Sequence, residues 1–195
     1  MDKLTLLQMY VREQLSAKEI AQRTKKGTST INYWLKKHEI PKRAIRDAVY
    51  IKHNPGGDPF SYAAPKIREE AFLEGLGIGL YWGEGTKRNL SSVRLGNSDP
   101  KLIRYFLKFL EQRFRIHKAK LRYGLQIFSD TNPSVALAYW RREISAPRAA
   151  FQKVIITPAR GVGNYKHKAK YGVLTVHFNN RKLRDKLCAF IAELP

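Results

Sequence analysis

Apolar positions recur every three or four residues at the start of the chain, and every second residue in parts of its second half. Leu4, Leu7, Tyr10 and Val11 predict a helix over residues 3–14. Ser16 with Glu19 is a capping box, in which hydroxyl and carboxylate satisfy free N–H groups at a helix start. A second helix therefore opens there, carrying Ile20 and Ala21. Lys25-Lys26-Gly27 breaks it, and Thr28 or Ser29 is expected to cap a third helix through Ile31, Trp34 and Leu35. From Pro41 to Pro65 the periodicity fades. Lys42, Arg43, Arg46 and Lys52 lie along a short helical stretch, and Asn54-Pro55-Gly56-Gly57-Asp58-Pro59 is turn chemistry.

A new helix starts after Pro65, with Glu69 and Glu70 in its first turn, where carboxylates complement the positive end of the helix dipole. It runs through Phe72-Leu73-Glu74-Gly75-Leu76-Gly77-Ile78-Gly79-Leu80-Tyr81-Trp82-Gly83-Glu84-Gly85. Ala71, Gly75, Gly79 and Gly83 are spaced four apart and form one stripe without side chains. A glycine costs about 1 kcal/mol against alanine inside a helix, so close approach of a second backbone is expected to repay them. Glu84 falls at the negative end of the dipole, a poor place for a carboxylate unless a cation joins it, and Gly85 suits a left-handed C-terminal cap. The plainer reading is a packed structural helix with Glu84 as a solvated cap residue.

Beyond it, Thr86-Lys87-Arg88-Asn89 reads as a basic turn and Ser92 to Leu95 as a strand. Asp99 caps a helix whose apolar face holds Leu102, Ile103, Phe106, Leu107, Phe109, Leu110 and Phe114. Lys120 to Phe128 alternates as a strand, Pro133 to Ile144 is helical, and Val154-Ile155-Ile156 and Val173 to Phe178 are strands. Leu183, Leu187, Phe190, Ile191 and Leu194 give a closing amphipathic helix, with Cys188 as a small core residue. Between the last two strands, Arg160 to Gly172 is expected to form a long basic hairpin tip holding Tyr165, Lys166, Lys168, Lys170 and Tyr171. The pattern is that of an α+β protein: a helical domain at 1–40, a linker at 41–65, and an αβ domain at 66–195 with a mixed or antiparallel sheet.

Charge changes this picture more than composition does. The 195 residues hold 37 Lys+Arg against 16 Asp+Glu, a formal charge of +21, and the excess lies on both sides of the linker. Nucleic acid is the default partner of such a balance, with an anionic membrane surface as the alternative. The hydrophobic fraction of 43% is that of a globular chain, and the single cysteine rules out an internal disulfide framework and fits a reducing compartment. No signal peptide or membrane-spanning run is read, so a cytoplasmic protein is expected. The histidines show no metal-ligand spacing.

Residues 1–40 resemble a helix-turn-helix DNA-binding domain of the resolvase or homeodomain-like kind, with Lys25 where that motif usually has glycine. The resemblance places Ser29, Thr30, Asn32, Tyr33 and Lys36 toward base edges in a major groove, and Lys36 and Lys37 on phosphates. A small helical bundle for protein contacts is the bland alternative. The stretch Gly79-Leu80-Tyr81-Trp82-Gly83-Glu84-Gly85 resembles the second part of the signature motif of LAGLIDADG homing endonucleases. It departs from that motif at Trp82, often an aspartate, and at Gly77, usually apolar. Arg94-Leu95-Gly96-Asn97-Ser98-Asp99-Pro100, with the amphipathic helix after it, is similar to the strand and helix next to the motif in that family. The resemblance implies a homodimer packed along Ala71, Gly75, Gly79 and Gly83, with Glu84 of each chain holding Mg²⁺ for phosphodiester cleavage of duplex DNA. It implies no small-molecule cofactor. Family members also use a lysine and polar residues at the site; Lys168, Lys170 and Gln126 are candidates by type. Lys87, Arg88, Arg160, Lys166, Lys168 and Lys170 are the expected backbone contacts. The rival is a transcription regulator that has kept the fold and lost cleavage; a third reading is an RNA-binding protein using the tyrosines of the basic segment.

Overall fold

The computed structural model describes residues 1–158 and 169–194, and the chain divides at Asp58–Pro59 into two compact units. In the first, α1 (Lys3–Leu7) widens into a π turn over Gln8–Arg12, followed by α2 (Ala17–Thr24), α3 (Thr28–Lys37) and α4 (Ile45–His53). Leu6, Met9, Tyr10, Ile20, Ala21, Ile31, Leu35 and Ile40 make its core. The capping box of α2 is complete: Glu19 N–H donates to Ser16 Oγ and Ser16 N–H to Glu19 Oε2, at 3.2 and 2.7 Å.

The start of α3 differs from expectation. Gly27, not Thr28 or Ser29, is the N-cap, and no side chain caps it. Lys25 ends α2 in the left-handed conformation at φ +53°, so a lysine bends the turn where the motif usually has glycine. The basic stretch after Pro41 belongs to this unit. Arg43 donates to the carbonyls of Tyr10 and Gln14 at 2.7 and 3.2 Å, and its guanidinium lies 4.8 Å from the Tyr10 ring centroid.

The second unit is built from α5 (Arg68–Glu84), β1 (Val93–Asn97), α6 (Pro100–Phe114), β2 (Leu121–Phe128), α7 (Pro133–Glu143), β3 (Ile155–Thr157), β4 (Val173–Phe178) and α8 (Arg181–Ala192). The class is α+β with a mixed sheet in the order β1-β4-β2-β3. β4 runs antiparallel to both β1 and β2, while β3 is parallel to β2. This corrects the expected hairpin: β3 and β4 are not neighbours, because β2 lies between them.

Alternation decides which sheet face is covered. Val93, Leu95, Leu121, Tyr123, Leu125, Ile127, Leu174, Val176 and Phe178 point under the helices and join Phe106, Phe109, Phe114, Trp140 and Leu187 in one core. Asp99 caps α6 by accepting from Lys101 N–H at 2.7 Å. Arg113, almost wholly buried on α6, pairs with Glu70 and Glu74 of α5 at 3.3 and 3.2 Å; Tyr62 also donates to Glu74, at 3.1 Å. These bonds fix the first half of α5 against the core, which sets where its last turn falls.

Candidate nucleic-acid interface

Helix α5 turns Leu73, Gly77, Ile78 and Tyr81 inward. At about 3.6 residues per turn, the opposite side carries Ala71, Phe72, Gly75, Gly79, Trp82 and Gly83. Phe72 is 70% exposed and Trp82 56%. A Cβ built at Gly75, Gly79 or Gly83 would meet nothing within 4 Å, so among the described residues nothing packs onto these three glycines. The close approach inside the chain is at Gly77 instead, where a Cβ would come 2.1 Å from Phe109 Cγ. Glycine at residue 77 thus has a steric reason: it admits a phenylalanine ring.

At its C-terminus α5 runs straight into the sheet. Gly85 pairs with Leu95, and Thr86 N–H donates to the Arg94 carbonyl at 2.9 Å. Gly85 is not the expected left-handed cap; its φ of −75° and ψ of 143° are extended. Glycine is needed there because a Cβ would lie 2.3 Å from both the Tyr81 ring and the Tyr81 carbonyl. Tyr81 itself is fully buried, its hydroxyl has no hydrogen-bond partner among the described residues, and burial pushes it up to about 12. The adjacent Glu84 is exposed at the sheet edge, one residue before the pairing begins.

Helix α5 ends in a basic turn that is partly spoken for. Lys87 Nζ donates to the Trp82 carbonyl, placing a cation at the negative end of the helix dipole. Lys87 is therefore committed to capping the helix as well as lying near the sheet edge. Arg184 of α8 donates to the Lys87 carbonyl at 2.5 Å and holds the turn down. Arg88 is exposed.

The sheet face away from the helices is polar and solvent-facing. Arg122 and Gln126 are exposed, and Arg94, Thr175 and His177 are half-buried. The antiparallel register sets Arg94, His177 and Arg122 side by side across β1, β4 and β2. Beside them, Gly96, Thr175 and Gly124 form a low row: a Cβ at Gly96 would meet Thr175 Oγ1 at 2.9 Å, and one at Gly124 would meet His177 Nε2 at 3.0 Å. Sequence reasoning passed over Arg94, Arg122 and His177, because they stand on three separate strands and only register brings them together.

Among the candidates for catalysis, the geometry spreads rather than gathers. Gln126 lies on the open face and donates to Thr157 Oγ1 at 2.9 Å. From the strand bearing Gly85 to β2 there are three strand spacings of about 4.8 Å each, so Gln126 and Glu84 of one chain are not neighbours. Lys170 lies with its Nζ 5.3 Å from the Tyr171 ring centroid, and Tyr171 stacks on Tyr139 at 3.8 Å. Lys168, Lys166, Arg160 and Tyr165 lie outside the described residues. Among the described residues no cluster of three His, Cys, Asp or Glu stands ready for a metal ion. No described helix is long and apolar enough to cross a membrane.

In the first unit, Ser29, Thr30, Tyr33, Lys36 and Lys37 of α3 are exposed. Asn32 is half-buried, and its amide donates to the Thr28 carbonyl at 3.0 Å, one turn back on the same helix. Trp34 is only half-buried and stacks on His38, with Lys37 Nζ 4.9 Å from its ring centroid. The exposed face of α3 so formed carries Ser29, Thr30, Tyr33 and Lys36, with Asn32 and Lys37 tied to their own helix. No family model matches the sequence, and no curated protein or solved structure gives a significant match to it.

Proposed function

We propose that the chain is a cytoplasmic duplex-DNA-binding protein that works as a homodimer, and that it cleaves DNA with the help of a divalent cation. The observation that carries this reading is the double role of α5. One helix presents a bare glycine stripe flanked by exposed Phe72 and Trp82, and delivers an exposed Glu84 to the edge of a cation-bearing sheet face. Two such helices packed along their stripes would bring two Glu84 carboxylates together beside two such faces. The resemblance of residues 79–85 to the LAGLIDADG signature agrees with this arrangement.

The donor set fits Mg²⁺ only as a pair. One exposed carboxylate oxygen donor is too few for a hard cation that takes oxygen ligands, but two protomers, phosphate oxygens and water complete such a set. Bound there, the cation would supply charge stabilisation at phosphate and a more acidic water. The chain's own part is to bring Glu84 to the sheet edge and to hold DNA on the open face and on α3. The second reading, a regulator without cleavage, is favoured by Trp82, an exposed indole where the family often has its first aspartate.

A plasmid library incubated with wild type and with Glu84→Gln in Mg²⁺ and then in Mn²⁺, followed by sequencing of cut ends, decides between them. Cleavage by wild type alone supports the enzyme. Tight site-specific binding without any cut by wild type leaves the regulator. A binding constant that hardly changes with salt would remove the DNA reading altogether, since each phosphate contact contributes about −0.9 to the slope of log K against log salt.

A further inference from the structure

The row Arg94–His177–Arg122 has a property that neither arginine supplies alone. We infer that these three side chains form one phosphate seat on the open sheet face, and that His177 takes up a proton from solvent when a phosphodiester group of duplex DNA occupies it. This rests on the reading that the sheet face binds DNA.

Register makes the seat. β4 stands between β1 and β2, and Cα pairing sets His177 opposite Arg94 on one side and Arg122 on the other. All three side chains leave the sheet on the side away from the helices. Each arginine is anchored by part of its guanidinium and has further nitrogens that bond no described residue. Arg94 Nε donates to Ser92 Oγ at 2.9 Å, and Arg122 donates through one terminal nitrogen to the Ala119 and Leu121 carbonyls, both at 2.7 Å. Held arginines lose little further freedom on binding an anion. The imidazole lies low over Gly124 of β2, where a Cβ would approach His177 Nε2 to 3.0 Å and Gln152 Oε1 to 3.6 Å.

In the free protein this environment disfavours a charged imidazole. Half-burial, then the positive charge of Arg94, hold His177 below its ordinary value of 6.5. The groups that face it are Arg94 from β1, Arg122 from β2 and the uncharged Gln152, and no described carboxylate offsets them. At neutral pH His177 is therefore a neutral group between two cations. A phosphate reverses the balance: its negative charge cancels the arginine field and rewards a third donor. Binding should draw in a proton, so DNA affinity should rise as pH falls from about 8 to 5, the window in which histidine titrates.

The experiment is calorimetric titration of the full chain with a mixed-sequence duplex, in two buffers of equal pH and different ionisation heat, near neutral pH. Wild type should take up a fraction of a proton per chain bound, rising as the buffer pH is lowered toward about 6, and His177→Gln should bind with that uptake lost. In parallel, NMR titration of the His177 imidazole in wild type, which needs no variant, should give a value raised by about one unit or more when the duplex is present. Inorganic phosphate at the same concentration should leave it nearly unmoved, because only DNA is held by the rest of the face. Tight binding with equal proton uptake in wild type and His177→Gln, or a His177 value indifferent to DNA, would overturn the seat while leaving DNA binding intact. Failure of wild type to bind the duplex at any pH would sink the DNA reading and the seat with it.

Discussion

Gly77 lies face to face with the ring of Phe109: a Cβ at residue 77 would fall 2.1 to 2.5 Å from three ring carbons. No side chain fits there while Phe109, itself fully buried, keeps its place against Phe106 and Phe114. Gly77→Ala should therefore destabilise the second unit by about 1–3 kcal/mol, the usual cost of overpacking, despite alanine's better helix propensity. Chemical denaturation monitored by tryptophan fluorescence would show this as a lower midpoint. An unchanged midpoint would mean that α5 and α6 can part at no cost.

Gly79, two residues on, has open space where its Cβ would be. In a lone chain Gly79→Ala should add about 1 kcal/mol of helix stability and Gly79→Leu should be tolerated. In a dimer packed along the stripe, leucine would hold the two backbones apart. Sedimentation should find Gly79→Leu folded but monomeric at concentrations where the parent is dimeric. A dimeric Gly79→Leu would end the role assigned to the stripe.

Lys25 stands in the left-handed backbone region at φ +53°. A left-handed residue other than glycine costs about 1–2 kcal/mol, of which glycine's greater freedom in the unfolded chain returns part. Lys25→Gly should raise the stability of the first unit by about 1 kcal/mol. Thermal unfolding of residues 1–58 within the whole chain, followed by hydrogen exchange in α2 and α3, would read the gain. A loss of protection there would place the importance of Lys25 in its charge.

Stability and DNA affinity should respond to acid in opposite senses. His177 is held below 6.5 in the folded chain, so as pH falls below that value the unfolded state binds the proton first and folding weakens. The loss is complete once the pH is below the folded value as well. Above about pH 7 both states are neutral and the contribution vanishes. The midpoint of thermal unfolding should fall less steeply with acid in His177→Gln than in wild type. Parallel curves would show that His177 titrates alike folded and unfolded.

Much of the fold was legible because it depends on local rules. The Ser16–Glu19 capping box, the Asp99 cap and the alternation from Leu121 to Ile127 each arise from neighbours in sequence, and each stands where expected. What was not legible depends on partners far away in the chain. Nothing near Ile155 reveals that β3 joins β2 in parallel rather than β4 in a hairpin, since register between distant strands is settled by the shared core. The spacing of Ala71, Gly75, Gly79 and Gly83 marked a smooth face but not which side of α5 meets its own domain; Phe109 decides that at Gly77. For the site, Glu84 carried a signature, whereas Arg94, His177 and Arg122 are unremarkable within their own segments.

The pairing of Gly85 with Leu95 makes the end of α5 and the edge of the sheet one continuous piece, with no spacer residue between them. Consecutive Cα atoms are fixed at about 3.8 Å, so no slack separates the surface that would meet a second copy from the surface that would meet DNA. In a symmetric pair the offset between the two sheet faces is then dictated by how closely two helices lie, ordinarily about 8–10 Å axis to axis and less where glycines face each other. In such a pair the helix would act as a ruler. If the proposed dimer holds duplex DNA, a methyl group added on the stripe would lengthen the footprint along the duplex as surely as it loosened the pair, and so change the spacing of half-sites that the pair fits.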